Sequence, residues 1–240
     1  AYQSGVTCCT AENTKGMNIM SALASQSDGT LQSNLSSAYC FVQNCYVVNG
    51  GSINIGQNGG NIASHNTVIN ANQAFSVQRS YGNIVEYNEG AGVPISTSDT
   101  GVIYVEGAAD CIGNHVRYNF FHDSIKSRGD PFGIYFDDMS SFNLAYGNML
   151  KNCNIFWHGG SNNVAYNNLI MESGSFAIRD SANYSGGDVG VHGIFSNQYL
   201  AYNGYRTNFD KEGYTSANSI AWASQYPSIS EWITGLIDFR

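Results

Sequence analysis

The segments Asn83-Ile-Val-Glu-Tyr-Asn88 and Asn114-His-Val-Arg-Tyr-Asn119 decide the fold of this chain. Each is a short alternating segment between two asparagines, and this alternation is typical of a β-strand. The same Asn-x-x-x-x-Asn spacing occurs five times in succession, at Asn61/Asn66, Asn83/Asn88, Asn114/Asn119, Asn143/Asn148 and Asn163/Asn168. Cys40 and Cys45 occupy the same register one repeat earlier. The chain is therefore built from a repeated unit.

The length of the repeat selects the architecture. Successive units begin 21, 22, 31, 29 and 20 residues apart. Helical-pair solenoids need roughly 34 residues per repeat, and the leucine framework of leucine-rich repeats is missing here. An asparagine at a coil corner can adopt a left-handed backbone and bond its side chain to the next coil, about 4.8 Å away. We predict an all-β solenoid of stacked coils, a parallel β-helix with irregular loops, stabilised by asparagine ladders.

The predicted domain covers residues 1–240, with the repeat clearest over 40–183. The longer units carry extra residues at 89–99 and 123–130, which we expect to form loops beside one face of the solenoid. Residues 184–240 show little repeat and are predicted to cap or flank the solenoid. Within them, 228–237 reads as a short amphipathic helix that opens with serine. The chain is expected to be a fragment of a longer protein or a shortened relative.

The composition of the chain excludes some classes of binding partner and favours one cellular location. The net charge of −8 argues against binding a nucleic-acid backbone, which requires a dense stripe of lysine and arginine. No apolar run reaches 18 residues, so no membrane span is predicted. Charged residues make up only 12% of the chain, and the six cysteines lack paired CxxC spacing for zinc. These features favour a secreted protein with disulfides.

A second strand precedes each asparagine pair, and these strands align without gaps at 103–107, 134–138, 155–159 and 176–180, with an earlier copy at 75–79. Alternation directs two rows of side chains outward. One row is Tyr104, Tyr135, Phe156 and Ala177; the other is Gln78, Glu106, Asp137, His158 and Arg179. Sugars stack on aromatic rings and hydrogen-bond to charged groups. These rows predict a polysaccharide-binding groove with Tyr104, Tyr135, Phe156, Arg179, Gln78 and Arg79, although an aromatic ladder can also simply stabilise stacked strands.

The acids in this region are the candidate catalytic groups. Like charges on adjacent coils repel one another, so Glu106 above Asp137, with Asp138 beside them, is not expected for stability alone. Glycoside hydrolysis needs one carboxyl group as proton donor and another as nucleophile or base. The catalytic candidates are Asp137, Asp138, Asp180, Glu106 and His158. Adjacent coils give Glu106 and Asp137 the retaining spacing, and two coils give Asp138 and Asp180 the inverting one, so both outcomes stay open.

A polysaccharide lyase is a further alternative, because a base next to a cation could remove a proton beside a uronate carboxylate. The candidate cations are Arg79, Arg117, Lys126, Arg128 and Arg179. Glu106, Asp137 and Asp138 could bind a metal through hard oxygen ligands, but no dedicated calcium loop is visible. We therefore predict neither a resident metal nor an organic cofactor.

The segments Gly133-Ile-Tyr-Phe-Asp-Asp138, Tyr146-Gly-Asn148 and His158-Gly-Gly-Ser-Asn-Asn163 resemble right-handed parallel β-helix proteins of the carbohydrate-active type. They are similar to β-helical glycoside hydrolases of a family with fucosidase and xylanase members, and the resemblance covers about residues 40 to 183. Trp222-x-x-x-Tyr-Pro227 also resembles a later element of such proteins. The resemblance implies catalysis by paired acids on successive coils, which maps onto Asp137, Asp138 and Asp180. The arginine that usually follows His-Gly-Gly is Ser161 here, which implies an altered substrate or lost catalysis.

Together these patterns predict a secreted, polysaccharide-active protein of the glycoside hydrolase type. The alternative is a non-catalytic structural or carbohydrate-binding β-helix at the cell surface, because this solenoid hosts many functions. The expected partner is a polysaccharide or oligosaccharide, and an open end of the solenoid is a candidate for self-association or for further coils.

Overall fold

The computed structural model describes residues 3–14, 17–20, 39–56, 59–93, 99–107, 110–125, 132–138, 140–158, 160, 162–171, 178–180, 193–195 and 198–199. For 17–20 and from 170 onward the description covers the backbone only. All regular structure in these ranges is β-strand. The predicted helix at 228–237 and the segment around Trp222 lie outside them. No helix in the described ranges has the length and apolar character needed to cross a membrane.

The strands form three sheets that the chain visits in turn, one strand per sheet in each coil. Sheet A contains β1 (Gly5–Thr7), β4 (Phe41–Gln43), β7 (Ile62–Ser64), β10 (Ile84–Glu86), β13 (His115–Arg117), β16 (Leu144–Tyr146), β19 (Asn163–Tyr166), β22 (Gly193–Phe195) and β23 (Gln198–Tyr199). Sheet B contains β2 (Thr10–Glu12), β5 (Tyr46–Gly50), β8 (Thr67–Ala71), β11 (Glu89–Ala91), β14 (Phe120–His122), β17 (Met149–Lys151) and β20 (Leu169–Met171). Sheet C contains β3 (Met17–Met20), β6 (Ile53–Gly56), β9 (Phe75–Gln78), β12 (Ile103–Val105), β15 (Phe132–Phe136), β18 (Asn154–Trp157) and β21 (Ile178–Asp180).

Neighbouring strands are parallel in all three sheets, apart from the antiparallel pair β22 and β23. This confirms the predicted all-β solenoid of stacked coils. The core lies between the sheets, because alternate residues of each strand point inward. Ile103, Ile134 and Ile155 are fully buried in sheet C, and the rings of Phe136 and Trp157 stack 4.6 Å apart beside them.

The two asparagine ladders are present. In the first, Nδ2 of Asn61, Asn83, Asn114 and Asn143 donates to Oδ1 of the next ladder asparagine at 3.0, 2.7, 3.0 and 3.2 Å. In the second, Asn66, Asn88, Asn119 and Asn148 do the same at 3.0, 3.0, 3.0 and 2.9 Å. The backbone N–H groups of these asparagines donate to the same oxygens. Buried amides thereby satisfy one another from coil to coil.

The left-handed backbone does not fall on the ladder asparagines, as the sequence suggested, but on the residue before each of them. Examples are His65, Tyr87, Tyr118 and Asn162, with φ of 57°, 54°, 55° and 56°. The left-handed residue makes the corner between two strands, and this leaves the following asparagine free to turn its amide into the interior. The prediction of asparagine bonding was correct, and the prediction of asparagine backbone conformation was wrong.

The six cysteines are free thiols, so the predicted disulfides are absent. Cys40 and Cys45 occupy the ladder register as predicted, and their N–H groups donate to Oδ1 of Asn61 and Asn66 at 3.0 Å. Cys111 and Cys153 are buried, and their thiols contact backbone carbonyl groups. Burial raises the pKa of the Cys153 thiol to about 12, which makes it unreactive at neutral pH. The four buried cysteines serve as small residues of the core, whereas Cys8 and Cys9 are exposed.

Candidate functional site

From β12 to β18, the polar row of sheet C has the register that the sequence predicted. Tyr104 pairs with Tyr135 and Tyr135 with Phe156 across β12, β15 and β18. The pairing continues beyond the strand ends, because Asp137 N–H donates to Val105 O at 3.1 Å and His158 N–H to Phe136 O at 2.8 Å. Glu106, Asp137 and His158 therefore occupy equivalent positions on successive coils. With Asp138 they are called the acid row below.

The last strand of this sheet is paired differently from the prediction. Ile178, Arg179 and Asp180 pair with Ile155, Phe156 and Trp157. The gap-free alignment had instead placed Arg179 beside His158 and Asp180 beside Gly159. A slip of two residues preserves the alternation of the strand and matches Ile178 with Ile155, which is why sequence alternation could not detect it.

As a result, Asp180 occupies the same position on its coil as Trp157 and Phe136 do on the two preceding coils. The prediction that Asp180 and Asp138 occupy equivalent positions two coils apart is wrong. The side chains of Arg179 and Asp180 lie outside the described part of the structure, as does Ala177. Their predicted roles in binding and catalysis remain predictions.

The aromatic row of the same sheet is mostly buried. Tyr135 and Phe156 are 0% and 4% exposed, and only Tyr104 is half-buried. Phe132 adds a second aromatic layer, with its ring 4.5 Å from that of Phe156, and a register irregularity follows it in β15. The predicted open strip for sugar stacking is therefore wrong here, because the aromatic side chains pack on one another as a small core outside the sheet.

Asp137 is the best-supported carboxylate of the acid row. Its Oδ2 accepts a 2.5 Å hydrogen bond from the Tyr104 hydroxyl, and its Oδ1 lies 2.8 Å from His158 Nδ1. The N–H of Asp138 also donates to Oδ1 at 3.0 Å. Burial by itself would raise the pKa of Asp137, but the hydrogen bonds from His158 and Tyr104 outweigh it and hold the pKa below its usual range. Asp137 is therefore ionised at neutral pH.

His158 bridges the two adjacent aspartates. Its Nδ1 lies 2.8 Å from Asp137 Oδ1 and 3.3 Å from Asp138 Oδ1. Hydrogen bonding to Asp137 and Asp138 raises the pKa of His158 to about 9, so the ring is an imidazolium at neutral pH. The sequence identified this histidine only as one that could orient a carboxylate or carry a proton.

Glu106 has the opposite environment. Burial raises its pKa, and the nearby charges of Asp110 and Asp137 act in the same direction, while Arg79 opposes them. The Arg79 N–H donates to Glu106 Oε2 at 3.1 Å, and Arg79 Nη1 lies 3.7 Å from Asp110 Oδ2. Adjacent coils therefore carry two carboxyl groups whose surroundings drive their pKa values apart.

Asp138 is the more accessible aspartate, with about a third of its side chain exposed. Its backbone has a φ of +32°, and its Cβ packs directly on Gly107 of the preceding coil. A Cβ on Gly107 would lie 2.5 Å from Cβ of Asp138, so glycine is required for this approach. Gly107 is a site residue that sequence reasoning missed, because nothing in its immediate sequence identifies the partner coil.

The remaining predicted binding residues lie at the edge of the acid row. Gln78 is half-buried and donates from Nε2 to Ser76 Oγ at 3.1 Å, while Arg79 is exposed. Asp99 was not predicted, and it accepts a 3.0 Å hydrogen bond from the Tyr135 hydroxyl. Burial, followed by the charge of Asp137, raises the pKa of both Tyr104 and Tyr135, so both remain protonated phenols.

Asp137, Asp138 and His158 could also hold a metal ion, because one ligand atom from each lies within 4.8 Å of the others. The sequence had proposed Glu106 in place of His158 for such a site. Carboxylate oxygens and an imidazole nitrogen suit several divalent metals. In the arrangement described here the imidazole instead contacts both carboxylates directly.

Comparison with protein families finds no family model that matches this chain. The curated proteins and the solved structures also give no match. The similarity to β-helical glycoside hydrolases therefore rests on the short segments quoted above.

Proposed function

We propose that this chain is a carbohydrate-active hydrolase of the glycoside hydrolase type, with its chemistry in the acid row. The observation that carries the proposal is the pair of carboxyl groups on adjacent coils, Glu106 and Asp137, with pKa values shifted in opposite directions. The divergence gives one coil a carboxyl group that can donate a proton, Glu106, and gives the next coil an anion, Asp137, that holds His158 beside the accessible Asp138. A cluster of buried and half-buried acids is also costly for a fold to maintain without a use.

In the proposed reaction Glu106 is the general acid, since its raised pKa favours the protonated form that glycosidic oxygen requires. Its proton passes to the leaving oxygen as the bond to the anomeric carbon breaks. Asp138, the accessible carboxylate, either adds to that carbon or takes a proton from the attacking water. Asp138 lies on the coil next to Glu106, one residue beyond the position level with it, so retention by direct addition and inversion through an activated water are both compatible with this arrangement.

Asp137 acts as a positioning residue in this proposal. It is only 8% exposed and is bonded to Tyr104 and His158, so it holds the imidazolium against Asp138. The imidazolium, 3.3 Å from Asp138 Oδ1, fixes the position of that side chain. Loss of His158 would therefore misplace the proposed nucleophile without removing it.

A lyase is less well supported, because the described residues of the acid row lack a strong base. Hydrogen bonds to two carboxylates keep His158 protonated, and the raised pKa values of Tyr104 and Tyr135 disfavour a phenolate. Arg117, one of the candidate cations, pairs with Glu86 on sheet A and is unavailable to this site.

The second candidate function is a non-catalytic structural or carbohydrate-binding β-helix. The burial of Tyr135 and Phe156 favours it, because a covered aromatic cluster stabilises the fold rather than a sugar. Secretion and contact with polysaccharide outside the cell belong to both candidates. Addition of a further copy at the edge of the end coil is compatible with both as well.

The test is release of reducing sugar from a panel of plant and algal polysaccharides by the wild type and single variants. We expect Glu106→Gln and Asp138→Asn to reduce release by about 10²–10⁴-fold. Exposed Glu12 lies on β2 of sheet B, so Glu12→Gln is the matched control and should match the wild type. Formate should partly restore Asp138→Ala but not Glu12→Gln, since a small carboxylate can replace a missing nucleophile. No release from any substrate by folded wild-type protein would refute the hydrolase and favour the second candidate.

A further inference from the structure

A column of aromatic rings runs across sheet A on its outer side, where the strands end. It consists of His65, Tyr87, Tyr118, Tyr146 and Tyr166, one ring from each of five successive coils, and is called the tyrosine column below. Neighbouring ring centroids are 5.2, 5.3, 5.5 and 4.9 Å apart. Three of the four contacts are stacked, and the contact between Tyr118 and Tyr146 is edge-on. Four coil steps make the column about 20 Å long.

The column is exposed, in contrast to the aromatic row of sheet C. Tyr87, Tyr118 and Tyr166 are 51%, 45% and 43% exposed, whereas Tyr135 is completely buried. Stacking between neighbours accounts for the contacts within the column. It does not require Tyr87, Tyr118 and Tyr166 to stay 43–51% exposed, and contiguous exposed aromatic surface commonly marks a binding site.

The polar groups beside the column carry little net charge. Arg117 lies 6.0 and 5.9 Å from the rings of Tyr118 and Tyr146, and its Nε is 2.7 Å from Glu86 Oε2. Arg117 Nη1 also donates to the Tyr146 hydroxyl at 2.8 Å. Arg117 and Glu86 form an ion pair, so their charges largely offset each other beside the rings.

We propose that the tyrosine column is a glycan-binding strip that holds an extended, uncharged polysaccharide chain parallel to the solenoid axis. The inference rests on the proposed function for its ligand class, but it does not depend on catalysis. The column lies on sheet A and the acid row on sheet C, so the two sites are separate surfaces of the same coils.

Three features select this ligand. The rings repeat once per coil, about every 4.8 Å, and an extended polysaccharide repeats its sugar rings at a similar interval. Each tyrosine hydroxyl can both donate and accept, which matches sugar hydroxyls. The Tyr146 hydroxyl accepts from Arg117 and keeps its own proton to donate. The exposed carbon edges of Tyr87, Tyr118 and Tyr166 add apolar surface for van der Waals contact with the sugar rings.

The experiment is affinity electrophoresis of the full chain in gels containing hydroxyethyl cellulose or xylan, with carboxymethyl cellulose as the charged counterpart of the same backbone. We expect retardation by at least one uncharged polymer and weaker retardation by the charged one. The double variant Tyr87→Ala/Tyr118→Ala should raise the dissociation constant at least tenfold. Tyr87→Phe/Tyr118→Phe keeps the stacked rings, and should lose only part of the affinity.

Two controls separate the strip from fold stability and from catalysis. Tyr46 is 44% exposed but lies on sheet B in register with Thr67, so Tyr46→Ala should bind like the wild type. Asp138→Asn should also bind fully, whether or not it cleaves. Binding without any release would refute the proposed hydrolase and leave the strip intact. Equal binding by folded Tyr87→Ala/Tyr118→Ala would overturn the strip, as would binding to neither uncharged polymer or dimerisation through this face.

Discussion

Replacement of Asn114 by alanine tests the asparagine ladders at their centre. The Asn114 side chain is buried and takes part in four hydrogen bonds. Its Oδ1 accepts from the N–H of Asn83 at 3.1 Å and from Asn83 Nδ2 at 2.7 Å. Its Nδ2 donates to Ser80 O at 3.2 Å and to Asn143 Oδ1 at 3.0 Å. Alanine removes all four and leaves the Asn83 N–H buried without this acceptor.

The expected loss follows from these bonds. Each of the four bonds contributes about 1 kcal/mol net to stability. We therefore expect Asn114→Ala to lower the free energy of unfolding by about 4 kcal/mol. This is a large part of the roughly 5–15 kcal/mol that stabilises a typical domain.

The assay is equilibrium urea denaturation, followed by far-UV circular dichroism and by the fluorescence of tryptophan, which includes buried Trp157. Asn70→Gly is the matched control, because Asn70 is an exposed asparagine with φ of 54° and a single 3.1 Å bond to Asn49. Glycine accepts that backbone, so the control should lose less than about 1 kcal/mol. If Asn114→Ala unfolds within 1 kcal/mol of the wild type with an unchanged m-value, the ladders do not stabilise the fold as argued.

Three further predictions follow from individual positions. Cys45→Asn should raise the free energy of unfolding by about 1–2 kcal/mol in the same assay, because its backbone already bonds to the ladder and an amide would extend it; an unchanged or lower value would contradict this. The raised pKa of His158 means that its contribution to stability is complete below about pH 6.5 and is lost as the pH rises through about 9. The lowered pKa of Asp137 means that its contribution is complete above about pH 4 and is lost as the pH falls below about 3.8. The pair should therefore stabilise the fold most between about pH 4 and 6.5. The alkaline loss should disappear in His158→Gln, and a wild-type loss that persists there has another origin. Gly107→Ala places a methyl group 2.5 Å from Cβ of Asp138. The variant should lower the free energy of unfolding by about 1–3 kcal/mol and reduce sugar release at least tenfold. Full activity would show that the position of Asp138 is unimportant.

The sequence predicted most of the fold and part of the candidate site. Alternation and the asparagine spacing gave the stacked strands and the register of Glu106, Asp137 and His158. Both signals are local and repeat with the coil, so they survive in one dimension. The slip of two residues at Ile178 escaped detection because it leaves the alternation of the strand unchanged. The N-terminal segment forms the first coil, since Phe41 N–H donates to Ser4 O at 3.0 Å, just as Ile62 N–H donates to Cys40 O at 2.9 Å one coil later.

The sequence did not predict which outward-facing side chains are exposed to solvent. Tyr135 and Tyr118 are both outward-facing tyrosines of a repeated coil, yet one is completely buried and the other 45% exposed. The difference comes from Phe132 and the aromatic cluster it forms, which covers sheet C and has no equivalent among the described residues beside the tyrosine column. The exposed strip was therefore predicted on the wrong sheet.

By itself, the sequence determined that this protein is a stack of β coils joined by asparagine ladders, with carboxyl groups on successive coils. These features depend on spacing along the chain, and hydrogen bonding between identical positions enforces that spacing. The tertiary structure alone decided which carboxyl group is held ionised, which one gains a raised pKa, and which rings reach the solvent. Those properties depend on desolvation and on partners from other coils, such as Gly107 beneath Asp138, and alternation along one strand carries no record of them.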